Sequence, residues 1–331
     1  MYGVPKIHKA DIPLRPILSM INSPQHELAK WLTEILQPVV NKYSTFTVKD
    51  TFEFCEKLEE FSDSCANISE TFMCSFDIKS LFTNVPLKET IDICVNVLYR
   101  DEEVPTPGVP EDLLRKLLLK ATTEVEFSFN NIIFKQTDGV AMGSPLGPTL
   151  ANIFVGYLES KLAENDLPLL YCRFVDDTFS IFRNNKNAFD FFSLLNKLHK
   201  NVKFTMESEI EGRIPFMDVD IKKAGNELSR TVYRKPTFTG LYTRWESFCP
   251  KVQKINLIKC LVQRAIKICT PGKLSTELDQ LRTILRNNGY PDNIVERTFK
   301  IVMEDERRIQ LKAEENATMN RVVLKLHWSG Q

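Results

Sequence analysis

Two adjacent aspartates, Asp176 and Asp177, interrupt a largely apolar and aromatic stretch from Leu169 to Phe182. Such a stretch predicts two short strands joined at the acids, with both carboxylates at the tip of a hairpin. Neighbouring carboxylates repel each other unless a cation neutralises them, so the arrangement is useful mainly as a set of hard-metal ligands. The string Phe174-Val175-Asp176-Asp177 also suits a solvated turn, because Asp is common in turns for local hydrogen-bonding reasons. A third acid bears on that choice. From Thr71 to Ile78 the chain alternates, with Phe72, Cys74, Phe76 and Ile78 on one face and Met73, Ser75 and Asp77 on the other, which is the period of a strand. Carboxylates on separate strands can serve two-metal phosphoryl transfer, in which the ions stand about 3.5–4 Å apart. A strand-end Asp by itself is more often a cap or loop residue.

The 331 residues leave room for a sizeable core, and 22 phenylalanines predict aromatic packing within it. With 43 basic against 43 acidic residues, any nucleic-acid contact has to come from local patches and not from a global excess of positive charge. The cysteines form no CxxC pair, and the histidines show no HExxH or zinc-finger spacing, so reduced thiols and no structural zinc are expected. No apolar stretch approaches the ~18 residues of a membrane span, and the N-terminus lacks the pattern of a signal peptide. These features predict a soluble, intracellular protein with no membrane partner.

Prolines 5, 13, 16 and 24 keep the first segment extended. Helices are predicted from about His26 to Gln37, stopping before Pro38, and from Thr47 to Phe61, then from Pro86 to Tyr99 and from Glu111 to Thr122. A hairpin over Val125 to Phe134 should turn at Asn130 and Asn131. Gly139, Gly143 and Gly147 with Pro145 and Pro148 read as a turn before a helix from Leu150 to Leu162. A helix from Lys186 to Leu198 and strands over Val202–Met206, Phe216–Lys222 and Leu228–Tyr233 complete an α+β layer. Three packed helices should follow: Val252–Cys269, Ser275–Arg286 and Asp292–Gln310. Between Thr231 and Lys273, nine basic residues stand against one acid, Glu246, with Tyr233, Phe238, Tyr242 and Trp245 interleaved. That pattern suits a surface tracking a nucleic-acid duplex, and equally describes a solvated basic helix face.

The order Phe76-Asp77 with Phe82, then Gly143-Ser144-Pro145-Leu146-Gly147-Pro148, then Phe174-Val175-Asp176-Asp177 resembles motifs A, B and C of reverse transcriptases. More closely, Tyr2-Gly3-Val4-Pro5-Lys6-Ile7-His8-Lys9, Pro13-Leu14-Arg15-Pro16-Ile17 and Tyr233-Arg234-Lys235-Pro236-Thr237-Phe238 look like the Penelope-like retroelements, whose reverse transcriptase is related to telomerase. The resemblance runs from about Tyr2 to Lys300.

It implies an α+β right-hand polymerase. Partial fingers would occupy 1–70, palm with motif A 71–100, a fingers/palm insertion 101–135, palm with motifs B to E 136–245, a helical thumb 246–312 and a C-terminal tail 313–331. Asp77, Asp176 and Asp177 would hold two Mg²⁺ ions, with Mn²⁺ as a substitute. Phe82 would sit at the steric gate that favours dNTPs. Lys6, Lys9 and Arg15 would contact the triphosphate, with Arg15 suited to bidentate grip. Gln136, Gly143, Ser144 and Pro145 would line the approach to the incoming nucleotide. Arg234, Lys235, Lys251, Lys254, Arg264 and Lys267 would track an RNA template and DNA primer. A lysine expected of motif D is not identified, Glu207-Ser208-Glu209 standing near its place. No GIY-YIG endonuclease module follows in this sequence, and upstream fingers material is expected to precede Met1. The competing expectations are a silent fragment that binds nucleic acid without extending a primer, and an RNA polymerase, with which Phe82 conflicts.

Overall fold

The computed structural model describes residues 1–5, 12, 14–123 and 125–328. The chain divides into two compact units, Met1–Ile214 and Pro215–Gln331.

The first unit begins with two short strands, β1 (Tyr2–Pro5) and β2 (Leu14–Ile17), paired antiparallel with Val4 opposite Arg15. Helices α1 (Pro24–Ile35), α2 (Gln37–Lys42) and α3 (Thr51–Ser64) follow. The chain thus passes Pro38 in helical form, because a proline in a first turn removes no intrahelical hydrogen bond. Helix α3 starts later than the apolar spacing predicts. Asp50 accepts from the backbone N–H groups of Phe52 and Glu53 at 2.9 Å each and so sets the N-terminus, while Val48 N–H donates to the carbonyl of Arg173 at 2.9 Å.

Strand β3 (Phe72–Ile78) leads through α4 (Leu81–Asn84) to α5 (Leu87–Arg100) and α6 (Glu111–Thr122). The hairpin β4 (Glu126–Phe129) and β5 (Ile132–Lys135) turns at Asn130 and Asn131, both at positive φ (51° and 61°), the backbone that Asn tolerates best after Gly. Helix α7 (Leu146–Glu159) begins four residues before the expected Leu150, with Gly147 and Pro148 inside its first turn. Next come β6 (Leu170–Phe174), β7 (Asp177–Phe182), α8 (Asn185–Leu198) and β8 (Phe204–Ser208).

The four strands form an antiparallel sheet in the order β6-β7-β3-β8. One face carries Cys74, Phe76, Ile78, Tyr171, Phe182 and Phe204 into a buried cluster with residues of α1, α2, α5, α6, α7 and α8. As the phenylalanine count suggested, aromatic rings are central there: Phe76 lies 5.9 Å from Phe191 and 6.1 Å from Phe192, and Tyr171 packs edge-on against Phe191. On the other face Phe54 of α3 meets Phe179 edge-on at 5.2 Å. Burial pushes the thiols of Cys74, Cys94 and Cys172 up to about 12, which keeps them unreactive.

The second unit holds a three-stranded sheet, β11-β10-β9, with β9 (Arg213–Phe216), β10 (Val219–Ala224) and β11 (Glu227–Val232). The single strand expected over Phe216–Lys222 is split at Met217, whose φ of 52° turns the chain. Helices α9 (Lys251–Ile268), α10 (Pro271–Asn287) and α11 (Asp292–Trp328) pack through Ile258, Val262, Leu281, Leu285, Val295 and Phe299. Helix α11 runs on past its expected end at Gln310. From Leu311 to Trp328 the sequence has neither Pro nor Gly and is rich in strong helix formers. Among the described residues, no helix is long and apolar enough to cross a membrane.

Two glycines on helices separate packing from propensity. A Cβ on Gly156 of α7 would stand 2.2 Å from the carbonyl oxygen of Tyr43, whereas one on Gly272 of α10 would meet nothing within 4 Å. Chemical denaturation should therefore show Gly156→Ala losing about 1–3 kcal/mol by overpacking. Gly272→Ala, in the first turn of α10, should be neutral or gain up to about 0.5 kcal/mol.

Candidate active site

The register of the central sheet decides where the acids go. Along β3 and β7, Cys74 pairs with Ser180, Phe76 with Thr178 and Asp77 with Asp177. Residues opposite each other in an antiparallel ladder share a face with Cβ atoms about 4.5–5.5 Å apart. Asp77 and Asp177 are therefore side by side. Asp176 lies in the two-residue turn between β6 and β7, and its carbonyl accepts from Ile78 N–H at 3.0 Å. All three acids thus belong to one end of one sheet, on two adjacent strands and the turn that joins them to a third.

The turn is strained. Val175 has φ 58°, a left-handed conformation that is a true outlier for a β-branched residue. Among the described residues, no group of three His, Cys, Asp or Glu side chains is gathered tightly enough to hold a metal ion. The donor chemistry nevertheless fits a hard divalent cation: oxygen ligands only, from neighbouring strand ends.

A second layer of the site is built by backbone contacts that only glycine permits. Phe82, in α4, offers its carbonyl to Val140 N–H at 2.7 Å. Gly139, at φ 74°, lies so close that an added Cβ would stand 3.0 Å from that same carbonyl oxygen. The Phe82 ring is 3.8 Å from where a Cβ of Gly147 would be, so the aromatic side chain rests against the first turn of α7. Gly143, at φ 118°, abuts the carbonyl oxygen of Leu18, just past β2, and Leu18 N–H donates to Met142 at 2.8 Å. The loop before α7 thereby touches both the segment after β3 and the segment after β2.

Polar side chains hold that loop in shape. Gln136 donates through Nε2 to the Gly139 carbonyl at 2.7 Å. Asp138 accepts from Gly139 N–H at 2.9 Å and from Leu87 N–H at 3.2 Å, tying the loop to the start of α5. Ser144 is buried, and its hydroxyl accepts from Leu146 N–H at 3.3 Å where α7 begins.

Residues 7–210 match the family model described as reverse transcriptase (RNA-dependent DNA polymerase). The chain belongs to the reverse transcriptase family. Residues 241–300 match a second model, an animal helix-turn-helix domain. Among solved structures, telomerase from Candida albicans in complex with a fragment of telomeric RNA aligns with a TM-score of 0.55 at 11% identity, covering 85% of this chain and 48% of that one. Apo telomerase from Candida tropicalis aligns with a TM-score of 0.50 at 14% identity, covering 83% and 51%. The chain spans about half the length of these telomerase chains. At such identities the likeness shows the fold, a mixed α+β polymerase fold. No curated protein matches the chain.

Within this reverse transcriptase fold, the expected site residues separate into groups. Asp77 stands opposite Asp177 with Asp176 in the adjoining turn, Phe82, Gln136, Gly143 and Ser144 belong to the loop system just described, and Pro145 directly precedes α7. Arg15 is exposed on β2, whose end reaches Gly143 through Leu18. Lys6 and Lys9 lie outside the described residues.

In the second unit, Lys235, Lys251 and Lys267 are exposed. Arg264 pairs with Asp218 at 3.1 Å. Arg234 grips Glu277 with both terminal nitrogens, a pairing that raises its affinity for the proton still further. Lys254 does not behave as a duplex-facing cation. It is buried, and its ammonium donates to the carbonyls of Trp245 at 2.5 Å and Ser247 at 2.8 Å, because a buried Lys must satisfy its donors internally. Tyr233, Arg234, Lys235, Phe238, Tyr242 and Arg264 share in lining a cavity of about 310 Å³.

Two contributors were missed in the sequence. Asp138 gave no periodic or motif signal. Arg173 stood in an apolar strand with nothing to mark it as buried.

Gly143 offers a direct check on the loop geometry. An Ala there would have to keep φ 118° and place its Cβ 2.2 Å from the Leu18 carbonyl oxygen. Gly143→Ala should cost about 1–3 kcal/mol in denaturant unfolding. Gly108→Ala, with open space around it, should be neutral to within about 0.5 kcal/mol.

Proposed function

We propose that the chain is the RNA-directed DNA polymerase of a Penelope-like retroelement, extending a DNA primer on an RNA template with dNTPs. The observation that carries this reading is the pairing of Asp77 opposite Asp177, with Asp176 in the adjoining turn and Phe82 against the glycine loop. In the reaction the primer 3′-oxygen attacks the α-phosphorus of a dNTP, a phosphodiester bond forms, and pyrophosphate leaves. Asp77 and Asp176 would hold Mg²⁺ directly and Asp177 would assist them. Two Mg²⁺ ions held there, for which Mn²⁺ could substitute, would supply charge neutralisation to the phosphoryl transfer.

The protein's own groups orient and select. The Phe82 ring crowds a ribose 2′-hydroxyl and so favours deoxynucleotides. Gly143, Ser144 and Pro145, with Gln136 behind them, shape the backbone against the incoming nucleotide. Arg15, with Lys6 and Lys9, takes the triphosphate oxygens. Arg234, Lys235, Lys251, Arg264 and Lys267 follow the phosphates of template and primer. On this reading residues 1–70 would be partial fingers, 71–100 and 136–245 palm, and 246–312 the helical thumb.

Purified protein given poly(rA), oligo(dT), dTTP and Mg²⁺ should extend the primer. Asp176→Ala should lose at least about 100-fold in rate, since even groups behind a metal ligand are worth 10–100-fold. Phe82→Ala should raise rUTP incorporation relative to dTTP. Duplex binding without extension by the wild type, or equal extension by Asp176→Ala, would remove the polymerase reading and leave a nucleic-acid-binding fragment.

A further inference from the structure

Arg173 is 0% exposed and is the largest fully buried side chain among the described residues. It sits on β6 opposite Thr178, and so on the face of the sheet away from Asp77 and Asp177. A guanidinium stays charged at any accessible pH, so burying it is costly unless its donors are matched. Here they are matched with care. Nε donates to Glu159 at 2.8 Å, Nη1 to Asn152 at 2.9 Å and to the Val175 carbonyl at 3.2 Å, and Nη2 to Thr47 at 3.1 Å.

The bond to Val175 differs from the others in its target. Val175 is the strained residue of the turn, and its carbonyl shares a peptide plane with the N–H of Asp176. The next peptide is held as well, since the Asp176 carbonyl accepts from Ile78 N–H at 3.0 Å. Both peptides flanking Asp176 are thereby fixed, one by Arg173 from behind the sheet and one by the ladder to β3.

Stability alone does not account for a charge in this place. A buried ion pair is often no better than apolar packing of the same volume. Glu159 leaves its second oxygen without a hydrogen-bond partner, and burial pushes its carboxyl up against the pull of Arg173. What a forked guanidinium offers that an apolar side chain cannot is direction: several donors at set angles, one of them aimed at the turn.

We propose that Arg173 is a positioning residue for Asp176, holding the strained Val175–Asp176 peptide so that the carboxylate is presented beside Asp77. This rests on the reading of Asp176 as a metal ligand given above. Glu159, Asn152 and Thr47 orient the guanidinium, and the chain from α7 to the turn acts as one unit.

The test compares whole-chain wild type, Arg173→Lys, Arg173→Met and Asp176→Asn. The probe is Mn²⁺, with binding read by electron paramagnetic resonance in the absence of substrate. Primer-extension kinetics and thermal midpoints are recorded on the same samples. Arg173→Lys retains the charge beside Glu159 but not the fork that reaches Val175, and so keeps the proposal testable if Arg173→Met does not fold. The expected result for Arg173→Lys is Mn²⁺ affinity about 10–100-fold weaker, as for other groups that orient a ligand. The Mg²⁺ concentration for half-maximal extension should rise in parallel, while the KM for dTTP stays within about 3-fold. A folded Arg173→Lys protein with wild-type Mn²⁺ affinity and metal dependence would overturn the proposal, whatever its thermal midpoint. If the wild type itself shows no more Mn²⁺ binding than Asp176→Asn, the ligand assignment of Asp176 fails, and this inference with it.

Discussion

The ladder between β3 and β7 joins the core to the candidate active site. Its period of two sends Cys74, Phe76 and Ile78 into the aromatic cluster on one face, and places Asp77 against Asp177 on the other. A slip of one residue would turn Phe76 toward the acids and Asp77 into the core, so burial of the phenylalanines sets the register of the carboxylates. Like charges directly opposite in a ladder are destabilising. The hydrophobic face therefore holds together an arrangement that its polar end alone would not favour.

The loop before α7 shows how close backbone approach substitutes for side-chain contact. Gly139, Gly143 and Gly147 each occupy a position where a Cβ would press on another part of the chain, at Thr83 and Phe82, at Leu18, and at Ala141. Three separate segments, following β2, following β3 and preceding α7, are thereby brought against one another without bulk between them. Arg173 reaches the site from the opposite side of the sheet, through a buried polar network and not through packing. In the second unit the same principle of internal satisfaction turns Lys254 inward to carbonyl groups, leaving Lys235, Lys251 and Lys267 as exposed cations.

Much was legible in the residues themselves. Alternation along Phe72–Ile78 located β3, the pair Asn130-Asn131 located a hairpin turn, and the break at Asp176-Asp177 separated β6 from β7. These are local signals, set by side-chain periodicity and turn chemistry, and they need no distant partner. Boundaries read from periodicity alone were less secure. Helix α3 starts where Asp50 caps it, α7 starts ahead of its apolar run, and α11 continues well past residue 310.

By itself, then, the sequence determined most of the strands and helices from β3 onward, the α+β class, and the three acids at a strand end and a hairpin tip, but not the β1–β2 pairing, α2, α4 or β9. Tertiary structure alone decided that Asp77 faces Asp177, that Arg173 is buried behind the turn, and that Lys254 points inward. Pairing register, burial of a charge and the partner of a buried donor depend on residues far apart in the chain, such as Thr47 with Arg173. No local pattern encodes them, because the energy that selects them exists only once the distant groups have met.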